Sequence, residues 1–376
     1  MQESVEQILS IYNDRVPLSE ASTLPAPWYV DPRIAELERL NVFGKTWQLV
    51  ARTDQVQRPG DFVATRLAGE PIVVVRGADG TLRSFYNVCR HHAAAVVTQP
   101  CGHAEILQCP YHGWKYGLDG SLKGMPEFDG VQNFDRAENG LVPIRVETWE
   151  CFVFVNLDPK AATLQHFLGR LVKQVAPLGI SNLHYFDRRS YDINCNWKVY
   201  VDNYLDGGYH VPHLHKGLSS VLDYKQYTIE NEDRYCLQSS PMVASSEDAA
   251  TGATRKGDRA RYFWQYPNLM INCYEGYMDT NYVIAVDADH CTVIFDFYFS
   301  DISEARRAYN TESVNVGNRV QDEDLGICED VQRGLKSRAY GSGRLSVRRE
   351  AGEQLFHQLL AADLKGQPAP SMAAAD

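Results

Sequence analysis

Three things are scarce in this sequence, and each absence removes a class of function. No apolar run approaches the roughly 20 residues that cross a bilayer, so no membrane-spanning helix is expected. Basic residues are outnumbered: 37 Lys and Arg against 48 Asp and Glu give a net charge of −11. The counterion-release term behind non-specific nucleic-acid binding is therefore missing. No G-x-G-x-x-G follows a strand pattern, so any nicotinamide or flavin site has to lie on another protein. The opening MQESVEQILSIYNDR lacks the basic-then-apolar order of a secretory signal. Nine cysteines, an odd number without regular spacing, do not make a disulfide framework. A cytoplasmic protein with no nucleic-acid or membrane partner is expected.

What is present is concentrated in residues 87–112, NVCRHHAAAVVTQPCGHAEILQCPYH. Cys89-x-His91 and Cys109-x-x-His112 each offer one thiolate and one imidazole. A [2Fe–2S] cluster with two Cys on one iron and two His on the other needs that set. Neutral imidazoles in place of anionic thiolates make such a cluster easier to reduce. Zinc also accepts Cys₂His₂, but zinc knuckles usually pair Cys with Cys and His with His. His92 directly follows His91 and cannot share its direction. Cys101 and His103 fall in the intervening segment and read as bystanders.

At 376 residues, 44% of them hydrophobic, the chain can hold two cores. Residues 1–44 read as a helical segment, with helices over 3–13 and 33–45, packing on the domain of residues 159–365. Residues 45–158 alternate in short strands with turn signals and form an all-β module carrying the cluster loops. Residues 159–365 mix helix (161–178, 303–335, 350–362) with aromatic-rich strands over 223–300 that suggest one antiparallel sheet. The fold class is α+β. The polar stretch 245–261 reads as a loop, and the tail 366–376 as disordered.

A second metal site is suggested by DNYLDGGYHVPHLH, residues 202–215. Pro212 breaks regular helix between His210 and His215, which lets both rings turn to one metal. His213 is an alternative to His215. Iron that works with O₂ often uses two His and one carboxylate. In QDEDLGICEDVQRG (321–334), Asp324 shares a helical face with Ile327, Cys328 and Val331, and Glu323 is the fallback ligand.

With YNVCRHHA, EFDGVQNF (127–134), the 203–215 stretch and YPNLMINCYEGYMDTN (266–281), the chain resembles the α-subunits of Rieske non-heme iron oxygenases, and among them the choline-oxidising enzymes. The resemblance implies a Rieske domain followed by a helix-grip catalytic domain. It implies a [2Fe–2S] cluster, mononuclear Fe(II), O₂, and NAD(P)H electrons delivered by a separate flavin or ferredoxin-type reductase. It also implies a head-to-tail homotrimer in which an acid bridges one subunit's cluster to the next subunit's iron. That acid commonly stands three residues before the first ligand His; here the position is Gly207, so the role is carried to Asp206, and Asn203 is the other candidate for a group that supports the metal ligands from behind. The expected substrate is a quaternary ammonium such as choline or a related betaine. Aromatic-ring hydroxylation, N- or O-demethylation, and a non-catalytic electron carrier are the alternatives. A quaternary ammonium is held by aromatic faces and a carboxylate, which points to Phe263, Trp264, Tyr266, Tyr274, Glu275 and Tyr277.

Overall fold

The computed structural model describes residues 3–243 and 248–368. Three short helices come first: α1 (Val5–Ser10), α2 (Ala26–Val30) and α3 (Pro32–Glu38). Ser4 caps α1 through a reciprocal bond with Gln7. The helix expected over 33–45 ends at Glu38 and gives way to a wider π turn over Arg39–Phe43. Ten strands follow: β1 (Gln48–Arg52), β2 (Asp61–Leu67), β3 (Glu70–Arg76), β4 (Leu82–Tyr86), β5 (Cys101–His103), β6 (Leu107–Gln108), β7 (Lys115–Tyr116), β8 (Leu122–Gly124), β9 (Pro143–Trp149) and β10 (Phe152–Asn156). In place of one helix over 161–178 stand α4 (Leu164–Leu168) and α5 (Leu171–Val175). Gly169 and Gly179 both take positive φ, so the helical run is broken at each.

The chain divides into two compact units. One comprises Arg39–Phe167; the other joins the segment through Glu38 to the chain from Leu168 onward. In the first, an antiparallel sheet runs β1-β10-β9-β4-β3-β2-β5, beside a small sheet β6-β7-β8. β3 reads EPIVVVR because both of its faces are covered. Val73 and Val75 pack in the cluster of side chains that includes Cys89 and Cys109, while Ile72 and Val74 face the opposite core.

The second unit is built on seven antiparallel strands: β11 (His184–Ile193), β12 (Thr228–Glu232), β13 (Tyr235–Pro241), β14 (Arg259–Gln265), β15 (Leu269–Tyr274), β16 (Tyr277–Ala285) and β17 (Cys291–Phe299), ordered β11-β17-β16-β15-β14-β13-β12. Besides α1–α3 and α5, the helices of this unit are α6 (Trp197–Leu205), α7 (Val211–Leu214), α8 (Lys216–Ser219), α9 (Ala249–Thr254), α10 (Arg307–Leu335) and α11 (Ala351–Lys365). Much of the stretch expected as a loop, 245–261, is ordered as α9 and the start of β14; residues 245–247 lie outside the described residues. So do residues 369–376 of the tail.

α6 is fixed by its own first residues. Asn196 caps it by accepting from the Lys198 amide. Glu38 then receives the Trp197 indole N–H at 2.8 Å and the Lys198 ammonium at 2.6 Å, with all three side chains buried. A buried ammonium needs such a partner. In α10 the buried face carries Ser313, Gln321, Asp324 and Cys328. Ile327 and Val331, expected on the face of Asp324, are 40% and 43% exposed. The inward face of α10 is polar because it lines a site.

Candidate metal centres and the tyrosine-lined cavity

In the strand-rich unit, two loops repeat one backbone device. The Cys89 amide donates to the Ala94 carbonyl and the Ala93 amide donates to the Cys89 carbonyl. The Cys109 amide likewise donates to Trp114 O, and Gly113 N–H to Cys109 O. Each turn closes through a residue of positive φ, Ala93 at 61° and Gly113 at 71°. Asn87 clamps the first loop by accepting from the Val96 and Val97 amides and donating to Val97 O.

These turns bring the expected donors together. Cys89 and Cys109 are both buried. The His91 and His112 rings stand 4.7 Å apart between centroids. His91 stacks on Trp114 at 4.7 Å, nearly parallel. The His91 Nδ1 is buried with no hydrogen-bond partner, which fits a nitrogen that would bind a metal ion. Burial, with His92 and His112 nearby, lowers the proton affinity of His91 and favours the neutral ring that ligates. Burial raises the Cys109 thiol, against amides of Tyr111 and His112 that favour the thiolate. The Tyr116 hydroxyl accepts from the Arg90 amide at 2.9 Å and sits 3.3 Å from Cys89 Sγ. Cys101 is exposed on β5, and His103 Nδ1 lies 3.0 Å from Asp61. The donor set fits a two-iron cluster.

In the other unit, α6 ends at Asp206, followed by two glycines with φ of 66° and 68°. A Cβ on Gly207 would lie 2.1 Å from the Arg349 carbonyl. No side chain fits there, so the carboxylate at this helix end is that of Asp206. From that place Asp206 accepts from the Tyr209 and His210 amides and lies 2.5 Å from His210 Nδ1. Pro212 then stands in the first turn of α7, and His215 ends that helix.

His210, His215 and Asp324 converge, each offering one donor atom within 4.8 Å of the others. His215 Nε2 lies 3.1 Å and His210 Nε2 3.9 Å from Asp324 Oδ1. Asn203 donates to that same oxygen at 2.9 Å. Glu323 is not among the three: its Oε2 lies 2.6 Å from His215 Nδ1. Each His thus has a carboxylate behind it, fixing the tautomer with Nε2 free to ligate. His213 is exposed and outside the group. The set of two imidazoles and one carboxylate suits Fe(II).

Burial opposes the imidazolium of His215, but Asp324 and Glu323 outweigh it and hold the ring above its ordinary 6.5 in the metal-free protein. Iron must displace that proton, so affinity falls as pH drops through the raised value. Glu323→Ala is expected to weaken iron binding about 10–100-fold while leaving the cluster spectrum intact. Unchanged iron affinity in a titration of the variant would show that Asp324 alone orients His215.

The trio opens into a cavity whose floor is one row across four strands: Gln238, Tyr262, Asn272 and Asp279, each directly opposite the next. Tyr204, Tyr227 and Tyr274 add walls. Of the six residues expected around substrate, only Tyr274 lines this space. Phe263 alternates to the other face of β14 from Tyr262. Trp264 packs on Phe356 of α11, and the Tyr266 hydroxyl bonds Asp363 there. Glu275 is exposed in the turn between β15 and β16. Tyr277 is buried behind Tyr274, with its hydroxyl 2.6 Å from Asp279. The signal missed was polarity within apolar strands: Asn272 in LMINCY and Asp279 in YMDTNY mark the cavity row.

Comparison with known proteins agrees with both centres. Residues 46–135 match the Rieske [2Fe-2S] domain, and residues 180–366 the ring hydroxylating alpha subunit (catalytic domain). The chloroplastic choline monooxygenase of Arabidopsis thaliana is 38% identical over 96% of this chain and 87% of its own. The carnitine monooxygenase oxygenase subunit of Escherichia coli is 34% identical over 91% and 94%. A solved quaternary ammonium Rieske monooxygenase, 30% identical, superposes with a TM-score of 0.85 over 96% of this chain and 99% of that one. Naphthalene 1,2-dioxygenase shares the fold at 17% identity and a TM-score of 0.75, over 94% and 95%. Among the described residues no helix is long and apolar enough to cross a membrane.

Proposed function

The chain belongs to the Rieske oxygenase α-subunits, whose cofactors are a [2Fe–2S] cluster and a mononuclear iron used with O₂, and from that premise we propose that it hydroxylates a quaternary ammonium compound. The observation that carries this reading is a cavity walled by tyrosines that ends on the His210, His215 and Asp324 donors. Cys89, His91, Cys109 and His112 hold the cluster, and His210, His215 and Asp324 hold the iron. When bound, the two centres supply reduction of O₂ by two electrons and insertion of one oxygen atom into a C–H bond. The balance is R–H plus O₂, two electrons and two protons, giving R–OH and water. On the alcohol carbon of choline the product is an aldehyde hydrate; on an N-methyl group it collapses to the demethylated amine and formaldehyde.

The protein's own groups prepare this chemistry. Asp206 and Glu323 hold the two imidazoles in one tautomer, and Asn203 steadies the Asp324 carboxylate. The tyrosine hydroxyls are engaged with one another and with the row: Tyr204 with Asn272 at 2.8 Å, Tyr262 with Tyr274 at 2.8 Å. Their ring faces are left for an ammonium, about 0.5–2 kcal/mol each. A separate reductase supplies the electrons, and a homotrimer in which Asp206 links neighbouring subunits completes the reading. Its support is the family's shared architecture and the grip of Asp206 on His210.

The test is an anaerobic titration of reduced holoprotein with trimethylammonium compounds and with small aromatic acids. The EPR signal of the mononuclear iron is followed after nitric oxide is added. A change with the ammonium compounds and none with the aromatic acids is the expected result. A response to aromatic acids alone would sink the quaternary-ammonium reading.

A further inference from the structure

The cavity holds a cation of its own. Arg255, at the C-terminal end of α9, is 6% exposed and lines the space. Its guanidinium lies 4.4 Å from the centre of the Tyr277 ring and 5.2 Å from that of Tyr274. The Tyr274 face, which could have received a substrate ammonium, is therefore taken. The hydrogen bonds of Arg255 go to neutral oxygens: Ser313 Oγ at 2.7 Å, Ser313 O at 3.3 Å and Tyr277 Oη at 3.3 Å. Among the described residues no carboxylate forms an ion pair with it. Asp279 is the nearest candidate, but its oxygens accept from Tyr277, Asn272 and Asn281. Burial also raises the Asp279 carboxyl, which weakens it as a counter-charge.

A buried guanidinium without a carboxylate is costly, and Ser313 and Tyr277 leave its Nε–H and one Nη1 hydrogen to donate to an incoming carboxylate. Room for one exists. Gly317 of α10 lines the cavity, and a Cβ built on it would lie 3.6 Å from Arg255 Nη2. The absence of that side chain keeps the space beside the guanidinium open.

We propose that Arg255 receives the carboxylate of the substrate, so that the substrate class is a zwitterion carrying both a quaternary ammonium and a carboxylate rather than choline. The inference rests on the quaternary-ammonium reading above and narrows it. The ammonium end takes the faces of Tyr204, Tyr227 and Tyr262, and the carboxylate end reaches Arg255. A substrate with a cation and no anion leaves Arg255 unpaired and adds a second positive charge to the same cavity.

The experiment uses holoprotein with both metal centres loaded. Binding of choline, glycine betaine and γ-butyrobetaine is measured by calorimetry, and product after a single turnover of the prereduced protein is identified by mass spectrometry. Wild type is expected to bind at least one carboxylate compound about tenfold or more tightly than choline. Arg255→Gln is expected to weaken that compound roughly 10–100-fold more than it weakens choline. Arg255→Lys, with the charge but fewer donors, falls between. Choline bound as tightly as every carboxylate compound by wild type overturns the proposal, as does an equal loss for both classes in Arg255→Gln. The wild-type comparison decides the matter even if the variants do not fold. Choline bound and hydroxylated alone sinks this inference and leaves the broader reading standing; no trimethylammonium compound bound sinks both.

Discussion

Cys109→Ser is expected to erase the visible absorbance of the cluster, to lower bound iron by about two atoms per chain, and to take reductase-driven product formation below about 1% of wild type. The backbone reasons are local. The Cys109 turn is closed by Gly113 and Trp114, and the side chain is 2% exposed, so no other donor can move into its place. A serine hydroxyl is a far poorer iron ligand than a thiolate. The mononuclear iron should remain, because His210, His215 and Asp324 belong to the other compact unit. Absorbance spectroscopy with iron analysis reads both effects. A surviving spectrum would mean that these four residues do not hold the cluster.

Asp206→Ala is expected to leave the cluster untouched and to damage the iron site twice. Its carboxylate holds His210 Nδ1 and two backbone amides, so iron affinity should drop about 10–100-fold. With iron then supplied at saturation, multiple turnover should still fall at least about 100-fold if the same carboxylate links the two centres of neighbouring subunits, as proposed. The distinguishing measurement is the rate at which reduced cluster is reoxidised by O₂ in the presence of substrate. Reoxidation at the wild-type rate in iron-saturated variant would reduce Asp206 to a positioning residue for His210.

The parts of the site that were legible before the structure are those written in short contiguous motifs. Cysteine and histidine ligate by their own chemistry, and a spacing of two or three residues in a tight loop already brings both donors to one place. Asp324 was reachable because a helix face can be counted from sequence, although the same count put Ile327 and Val331 inward and they are half-exposed. The cavity was not legible. Its floor depends on which residue of one strand faces which residue of the next, and a shift of one reverses every side chain. Thus Phe263 alternates away from the cavity row, and Trp264, on the face of Tyr262 but farther along β14, packs with Tyr266 on α11, whereas Asn272 and Asp279 turn to the iron site. Arg255 was hidden for another reason. It sits in SSEDAATGATRKGDRAR, a stretch whose polarity suggests solvent, and nothing local reveals that one of its cations is enclosed.

The division of the chain also sets an order of assembly during synthesis. Arg39–Phe167 is continuous, so the cluster-bearing unit has all its strands once they leave the ribosome. The iron-bearing unit is split around it, and its first piece must wait. Glu38 has no Trp197 and Lys198 to receive until α6 emerges roughly 160 residues later. Lys365 and Gln358 of α11 reach back to Asp14, and Gln354 to Val16. At about 5–20 residues per second, the N-terminal helices stay without these partners for tens of seconds. A chain truncated before α11 would therefore be expected to fold its first metal centre and leave the second open to proteases.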